Sequence, residues 1–159
     1  MSAGVTTIAP RLVERPRLRM AVIDTVGDPD IVGGPAVGSL YGAIMASGIP
    51  SGPLRARWPN AQDEEKSEWL AHWALPVPDG TPEPGGPIRV ETWYGCLVAE
   101  ILHEGPLGDD DVQSFRELHR FIEDCGYEIA GPAEQEYITR AGEEPRQTIL
   151  RYEVRPARR

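Results

Sequence analysis

Two glutamates near the C-terminus are the first candidates for binding chemistry. Glu134 and Glu136 flank Gln135 in a short β-prone stretch that runs into Tyr137. Successive side chains of a strand point to opposite faces, so we expect both glutamates on one face and Gln135 and Tyr137 on the other. A buried carboxylate needs a counter-charge or hydrogen bonds to offset its burial. A glutamate in an apolar cleft would therefore favour a cationic ligand.

The aromatic side chains are the second set of candidates. The chain has four Trp and five Tyr but only two Phe. Trp and Tyr bury a flat face and keep a polar group, and a cation over such a face gains about 0.5–2 kcal/mol. Core packing is the competing interpretation, but we favour aromatic walls of a ligand cleft. The candidates are Trp58, Trp73, Trp93, Tyr94, Tyr137 and Tyr152, of which only one of the neighbours Trp93 and Tyr94 should reach the cleft.

An internal duplication places these aromatic residues at equivalent positions. The second half of the chain aligns with the first at a constant offset, which grows by one residue after an insertion. In this second register, Trp58 matches Tyr137 and Trp73 matches Tyr152. The matches fall on turn, cap and core positions, which indicates two copies of one supersecondary unit. The pairs of the first register are Ala21 with Ala99, Ile23 with Ile101, Gly27 with Gly105, Leu40 with Leu118, Ile44 with Ile122 and Gly48 with Gly126.

The predicted elements repeat in the order β-α-β-β. Apolar residues at spacings of three and four predict a helix over 36–47, with the Gly33-Gly34-Pro35 break before it and Gly48 at its C-cap. A second helix should follow the cap Asp109–Asp111 and end at Gly126. Strands are predicted at 12–24 (a strand or hairpin), 53–58, 68–77, 88–103 (two strands or one bent strand), 134–139 and 148–154.

These elements predict an α+β fold in a single domain spanning 1–159. Two tandem repeats, about 12–80 and about 88–157, should pair edge to edge. The result would be a pseudo-two-fold antiparallel sheet with two main helices and a central ligand cleft. Because Ala99 and Ile101 match core positions of the first repeat, Glu100 between them should face away from the helices.

Three motifs resemble a known family. Val98–Pro106 is similar to a strand that ends in H-x-G-P, and Thr148–Pro156 to a closing strand T-x-x-x-Y-x-V-x-P. Gly126–Pro132, followed by an acidic segment with Tyr137, resembles G-Y-x-x-x-G-P…E-x-Y. Together with the duplication, they resemble the GyrI-like small-molecule-binding family, also called the AraC-type effector-binding domain. The resemblance extends from Leu12 over nearly the whole chain.

The resemblance implies a stand-alone multidrug-binding member. Such proteins bind bulky, hydrophobic, often cationic, aromatic compounds through aromatic walls and a buried Glu. The family Glu most often stands two residues before the Tyr, where this chain has Gln135, so the acidic role passes to Glu134 or Glu136. Two alternatives follow from other family members: a hydrolase of cyclopropane-bearing DNA-alkylating toxins, and a protein that protects DNA gyrase. We favour binding over catalysis, and no catalytic residue is assigned.

The composition argues against nucleic acid as a partner. The chain has 25 Asp and Glu against 16 Lys and Arg, a formal net charge of −9, and such a surface repels phosphates. The same charge attracts lipophilic cations. No apolar run approaches the roughly 18 residues of a membrane span, so no membrane partner is expected. A protein partner is left unspecified.

The sequence predicts a cytoplasmic protein with no metal and no cofactor. No basic segment followed by an apolar stretch opens the chain, so a secretory signal is not expected. Cys96 and Cys125 lack the spacing of metal ligands and should be reduced thiols. We interpret His103, before the turn at Gly105, as structural rather than catalytic. A DNA-binding segment is not expected either, because the first repeat begins near residue 12.

Overall fold

The computed structural model describes residues 6–107, 112–139 and 142–158. It divides into two compact units: unit A is Pro16–Gly95, and unit B joins the chain up to Arg15 with the chain from Cys96 onward. The predicted cap Asp109–Asp111 lies outside the described residues. The elements in chain order are β1 (Thr6–Arg15), β2 (Leu18–Val26), α1 (Pro29–Ala46), β3 (Arg55–Trp58), β4 (Leu70–Val77), β5 (Arg89–Trp93), β6 (Cys96–Glu104), α2 (Val112–Asp124), β7 (Tyr127–Ile129), β8 (Ala133–Tyr137) and β9 (Gln147–Pro156).

Unit A is an antiparallel sheet with one helix. Its strands lie in the order β3-β4-β2-β5, and α1 packs against β2 and β4. The face under α1, which we call the helix face, includes Ile23 and its cross-strand partner Trp73. The opposite face, which we call the far face, buries Met20, Val22, Ala74 and Trp93 in a separate cluster. Period-two alternation along each strand therefore separates two sets of side chains.

Unit B repeats this plan. Its strands lie in the order β1-β6-β9-β8, β7 pairs with the end of β9, and α2 packs on the sheet. The helix face holds one buried cluster in which Leu118 and Ile122 of the helix contact the sheet. The sheet residues of that cluster are Ala99, Ile101, Leu150, Tyr152 and Val154. The amphipathic pattern of α2 thus fixes which face of the sheet it covers.

The duplication is confirmed by the geometry of equivalent residues. Leu40 and Leu118 are both fully buried under their sheets. Gly27 and Gly105 have φ of +133° and +129°, a backbone region that favours glycine. Gly48 and Gly126, which follow the two helices, have φ of +67° and +80°. The α+β class, the antiparallel sheets and the two main helices are as predicted.

Three local predictions were wrong. The 12–24 segment is no hairpin, because β1 pairs with β6 while β2 pairs with β4 and β5. Helix α1 begins at Pro29, well before the predicted start, because Asp28 caps it by accepting a hydrogen bond from the amide of Asp30. Gly33-Gly34-Pro35 therefore lies inside the helix. Strand β7 was not predicted, since three residues carry too little periodicity.

One glycine of α1 is required by packing. A Cβ on Gly33 would lie 3.0 Å from the indole carbon Cζ2 of Trp73, whereas a Cβ on Gly42 would contact nothing within 4 Å. We expect Gly33→Ala to destabilise the fold by about 1–2 kcal/mol through overpacking. Gly42→Ala should stabilise it by about 0.5–1 kcal/mol, because alanine is the better helix former. Urea unfolding measures the change in the free energy of unfolding for each variant. Equal changes in the two variants would contradict the close packing of Gly33 against Trp73.

Candidate functional site

The face of the unit B sheet that points away from α2 is the far face of this unit. It carries a buried group of charged side chains, which we call the glutamate cluster. It consists of Glu100, Glu134, Glu136, Arg15 and Arg151. The strand registers pair Glu134 and Glu100 with Arg151, and Gln135 with the core residue Leu150. The predicted alternation is therefore confirmed: both glutamates of β8 share one face, and Glu100 faces away from the helix.

Arg151 lies at the centre of the glutamate cluster. Its Nη1 donates to Glu134 Oε2 at 2.7 Å and its Nη2 donates to Glu136 Oε1 at 2.9 Å. Arg15 Nη1 donates to the other oxygen of Glu134, Oε1, at 3.1 Å. Glu134 and Arg151 are 2% and 5% exposed. Both glutamates named by the sequence are thus already neutralised by arginines.

The carboxylates of the cluster keep Arg151 in its charged form. Burial works against the charge of Arg151, but the carboxylates of Glu134, Glu100 and Glu136 outweigh it and raise the pKa of the guanidinium. Arg151 therefore stays cationic. Arg11, whose side chain is 69% exposed, adds a more distant cation, with its Nη2 3.6 Å from Glu100 Oε2.

A cavity of about 220 Å³ lies beside the glutamate cluster. It forms where the register between β1 and β6 shifts between Ile8 and Arg11. Leu102 and Ile149 give it apolar walls, and the carboxylate of Glu100 and the side chain of Arg11 are its charged members. The lining residues are Ala9, Arg11, Glu100, Leu102 and Ile149.

Two of the three tyrosines predicted as walls, Tyr137 and Tyr152, lie on the opposite side of the sheet from the glutamates. Tyr152 is 3% exposed within the core cluster under α2. Its hydroxyl lies 3.1 Å from His119 Nε2, and its ring meets Phe115 edge-on. Tyr137 alternates with the glutamates along β8, and its hydroxyl donates to Gln135 Oε1 at 2.7 Å. Tyr152 is therefore a core residue, and neither tyrosine shares a face with Glu134 and Glu136.

Trp58 and Trp73 form an aromatic cluster on the helix face of unit A. Their ring centroids are 5.3 Å apart, and Trp69 meets Trp58 at 5.8 Å, both edge-on. Trp73 donates from Nε1 to Thr25 Oγ1 at 2.9 Å. The ring of Trp73 also packs against α1 at Gly33. Core packing, the interpretation that we did not favour, describes Trp73 correctly.

Trp93 and Tyr94 differ in burial, as the strand pattern predicted. Trp93 is 4% exposed on the far face of unit A, whereas Tyr94 follows the end of β5 and is 76% exposed. The guanidinium carbon of Arg57 lies 3.4 Å from the centre of the Trp93 ring. This aromatic face therefore already carries a cation of the protein.

Solved structures share this architecture, although no family model and no curated protein matches the sequence. A hydrolase from Listeria innocua is 22% identical, with 92% of this chain and 91% of that chain covered and a TM-score of 0.75. The C-terminal domain of EcmrR is 16% identical, with 93% and 98% covered and a TM-score of 0.76. SAV2435, solved bound to tetraphenylphosphonium, is 12% identical, with 93% and 94% covered and a TM-score of 0.57.

The chain has the GyrI-like effector-binding fold. The resemblance of its motifs is thereby confirmed at the level of the fold. EcmrR has also been solved in complex with DNA, as a longer chain of which this one covers 57%. Identities this low leave the ligand of this chain to be argued from its own residues.

Sequence reasoning missed a polar network on the far face of unit A. Asp24 Oδ1 lies 2.6 Å from His72 Nδ1, and Asp24 Oδ2 accepts from Arg89 Nη1 at 2.6 Å. Burial opposes the charge of Asp24, but the hydrogen bonds from Arg89 and His72 outweigh it and lower the pKa of the carboxyl. The alternation of β2 places Asp24 on the far face, but its partners depend on pairing with two other strands.

The remaining expectations concern histidine, metals and membranes. His103 is fully buried, with Nδ1 2.8 Å from Ser114 Oγ and Nε2 2.8 Å from the carbonyl oxygen of Pro106, so the structural interpretation is confirmed. Among the described residues, no group of three or more His, Cys, Asp or Glu side chains could hold a metal ion. Within the same residues, neither helix is long and apolar enough to cross a membrane.

Proposed function

We propose that this GyrI-like domain binds bulky, hydrophobic, often cationic, aromatic compounds on the far face of unit B. The observation that carries the proposal is the position of Glu100, whose carboxylate borders the cavity walled by Leu102 and Ile149. Its Oε2 lies 3.6 and 3.7 Å from the guanidiniums of Arg11 and Arg151, beyond hydrogen-bond distance. A cation that enters the cavity can pair with this carboxylate. At an effective dielectric constant of 20, one charge pair about 4 Å apart gains about 4 kcal/mol before desolvation.

Apolar contact would come from aliphatic walls rather than from the predicted aromatic ones. Leu102 and Ile149 line the cavity beside Glu100. Flat aliphatic surfaces accept different ring systems without specific hydrogen bonds, and each Å² removed from water contributes about 25 cal/mol. The carboxylates would therefore select cations, while the aliphatic walls would accept ligands of different shapes. The likeness in fold to SAV2435, which was solved with tetraphenylphosphonium, supports the same class of ligand.

Dye titrations test the proposal. Several unrelated cationic aromatic dyes should bind saturably at micromolar concentration, as measured by fluorescence. Glu136→Gln removes one of the carboxylates that hold Arg151, so Arg151 can turn toward Glu100, and binding should weaken about tenfold, or about 1.4 kcal/mol. Glu128→Gln makes the same charge change at an exposed site on β7 and should change affinity less than about twofold. No saturable binding of any dye to the wild-type protein would overturn the proposal.

A hydrolase is the second candidate. The carboxylate of Glu100 borders the cavity and could activate a water molecule there as a general base. The likeness in fold to a Listeria innocua hydrolase supports a test. A cyclopropane-bearing alkylating toxin is the substrate that the sequence resemblance implies. Product in molar excess over protein, lost in Glu100→Gln, would establish catalysis, and binding without product would exclude it for that toxin. Protection of DNA gyrase stays a prediction.

A further inference from the structure

We infer that Glu100, and not Glu134 or Glu136, accepts the charged group of a ligand, and that the cavity beside it holds a compact ring bearing N–H donors. Amidinium compounds and protonated ring amines are this class of ligand. The inference rests on the proposed function, because it names the chemistry at the same far face of unit B.

The three carboxylates differ in how well they are satisfied. Glu134 accepts hydrogen bonds from Arg15 and Arg151 at 3.1 and 2.7 Å, and Glu136 accepts one from Arg151 at 2.9 Å. Glu100 Oε2 lies 3.6 Å from Arg11 Nη2 and 3.7 Å from Arg151 Nη2, too far for hydrogen bonds. Among the described residues, no side chain donates a hydrogen bond to the carboxylate of Glu100.

This carboxylate is nevertheless buried, with its side chain 9% exposed. A mostly buried carboxylate at the edge of a cavity gains from a donor that enters the cavity, because water reaches it poorly there. Charged N–H donors bind carboxylates at about 2.7–2.9 Å and form hydrogen bonds roughly twice as strong as neutral ones. A ligand with such donors would therefore gain more from Glu100 than from the two glutamates that already accept hydrogen bonds from arginine.

The cavity suits the apolar part of such a ligand. Its volume of about 220 Å³ is several times the roughly 30 Å³ that one water occupies in the liquid. Leu102, Ile149 and Ala9 supply apolar lining, and Glu100 is the acidic residue among the described residues that border the space. One substituted aromatic ring matches this combination of size and polarity.

Arg11 is the natural competitor of the ligand. It pairs with the same oxygen of Glu100 from a side chain that is 69% exposed, so a ligand cation can replace it at small cost. Removing Arg11 should then strengthen binding, whereas removing Glu100 should weaken it. A purely structural role for Glu100 does not predict these opposite signs.

The test uses two probes by isothermal titration calorimetry: benzamidine, which has N–H donors, and tetraphenylphosphonium, which has none. Glu100→Gln should lower the affinity for benzamidine at least about tenfold and that for tetraphenylphosphonium less. Arg11→Gln should raise the affinity for benzamidine about two- to fivefold. If Glu100→Gln does not fold, Ile149→Phe replaces it: this variant keeps the charge, fills the cavity and should abolish benzamidine binding.

The outcomes separate this inference from the proposed function. The inference is overturned if the wild-type protein binds tetraphenylphosphonium but not benzamidine. It is also overturned if Glu100→Gln or Ile149→Phe leaves the affinity for benzamidine within twofold of the wild-type value. In both cases the proposed function stands. Glu100-dependent binding of benzamidine alone supports the inference and contradicts a preference for bulky cations. Absence of binding by both probes overturns both.

Discussion

Arg151→Met should destabilise the protein by about 3–5 kcal/mol at pH 7. The substitution removes the guanidinium that hydrogen-bonds Glu134 and Glu136 and pairs with Glu100. Glu134, Glu136 and Glu100 would then lose the cation at the centre of the cluster. Breaking a buried ion network costs more than the network itself contributes, because it leaves charges buried without partners. Urea unfolding at pH 7 measures the loss.

Two comparisons make the Arg151 experiment specific. Arg11→Gln removes an exposed partner of Glu100 and should change stability by less than about 1 kcal/mol. Lowering the pH from 7 to 5 should restore part of the stability of Arg151→Met, because protonation neutralises carboxylates that have lost their counter-charge. A loss below 1 kcal/mol, or a variant that weakens further as the pH falls over this range, would contradict the account of the cluster.

Trp73→Ala should cost about 3–5 kcal/mol of stability. The indole is 7% exposed, meets Trp58 edge-on, donates to Thr25 and packs against α1. Truncation would remove these contacts and leave a cavity on the helix face of unit A. Thermal or urea unfolding measures the loss. Tyr94→Ala is the matched control, since that side chain is 76% exposed and its removal should change stability by less than about 0.5 kcal/mol.

Binding by the Trp73 variant tests the assignment of this residue to the core. At a temperature where Trp73→Ala is still folded, its affinity for tetraphenylphosphonium by calorimetry should be within about twofold of the wild-type value. A folded Trp73→Ala protein that has lost binding would return Trp73 to the site and contradict the placement of the site on unit B.

Much of the fold could be predicted because its signals are local. Leu40 and Leu118, and the positive-φ residues Gly48 and Gly126, repeat at one spacing, so the second copy supports the assignment of the first. Alternation along β8 places Glu134 and Glu136 on one face, and alternation along β6 places Glu100 away from the helix. None of these inferences depends on which strands are neighbours in the sheet.

The parts that failed depend on long-range pairing. Arg151 faces Glu134 and Glu100 because β9 lies between β6 and β8, and its own sequence context contains no sign of this. Strand β1 pairs with β6 rather than with the adjacent β2 for the same kind of reason. The aromatic prediction failed differently: equivalence between repeats marks core positions as readily as site positions. The register of Ile23 with Trp73 assigns the latter to the core.

Methyl NMR during titration with tetraphenylphosphonium tests most directly whether the ligand binds on the far face of unit B. Leu102 and Ile149 line the cavity on the far face of unit B, whereas Leu118 and Ile122 lie buried on its helix face. Binding in this cavity should give saturable shifts of the Leu102 and Ile149 methyl signals, with those of Leu118 and Ile122 nearly unchanged. Shifts confined to Leu118 and Ile122, or no saturable shift at Leu102 and Ile149, would contradict it.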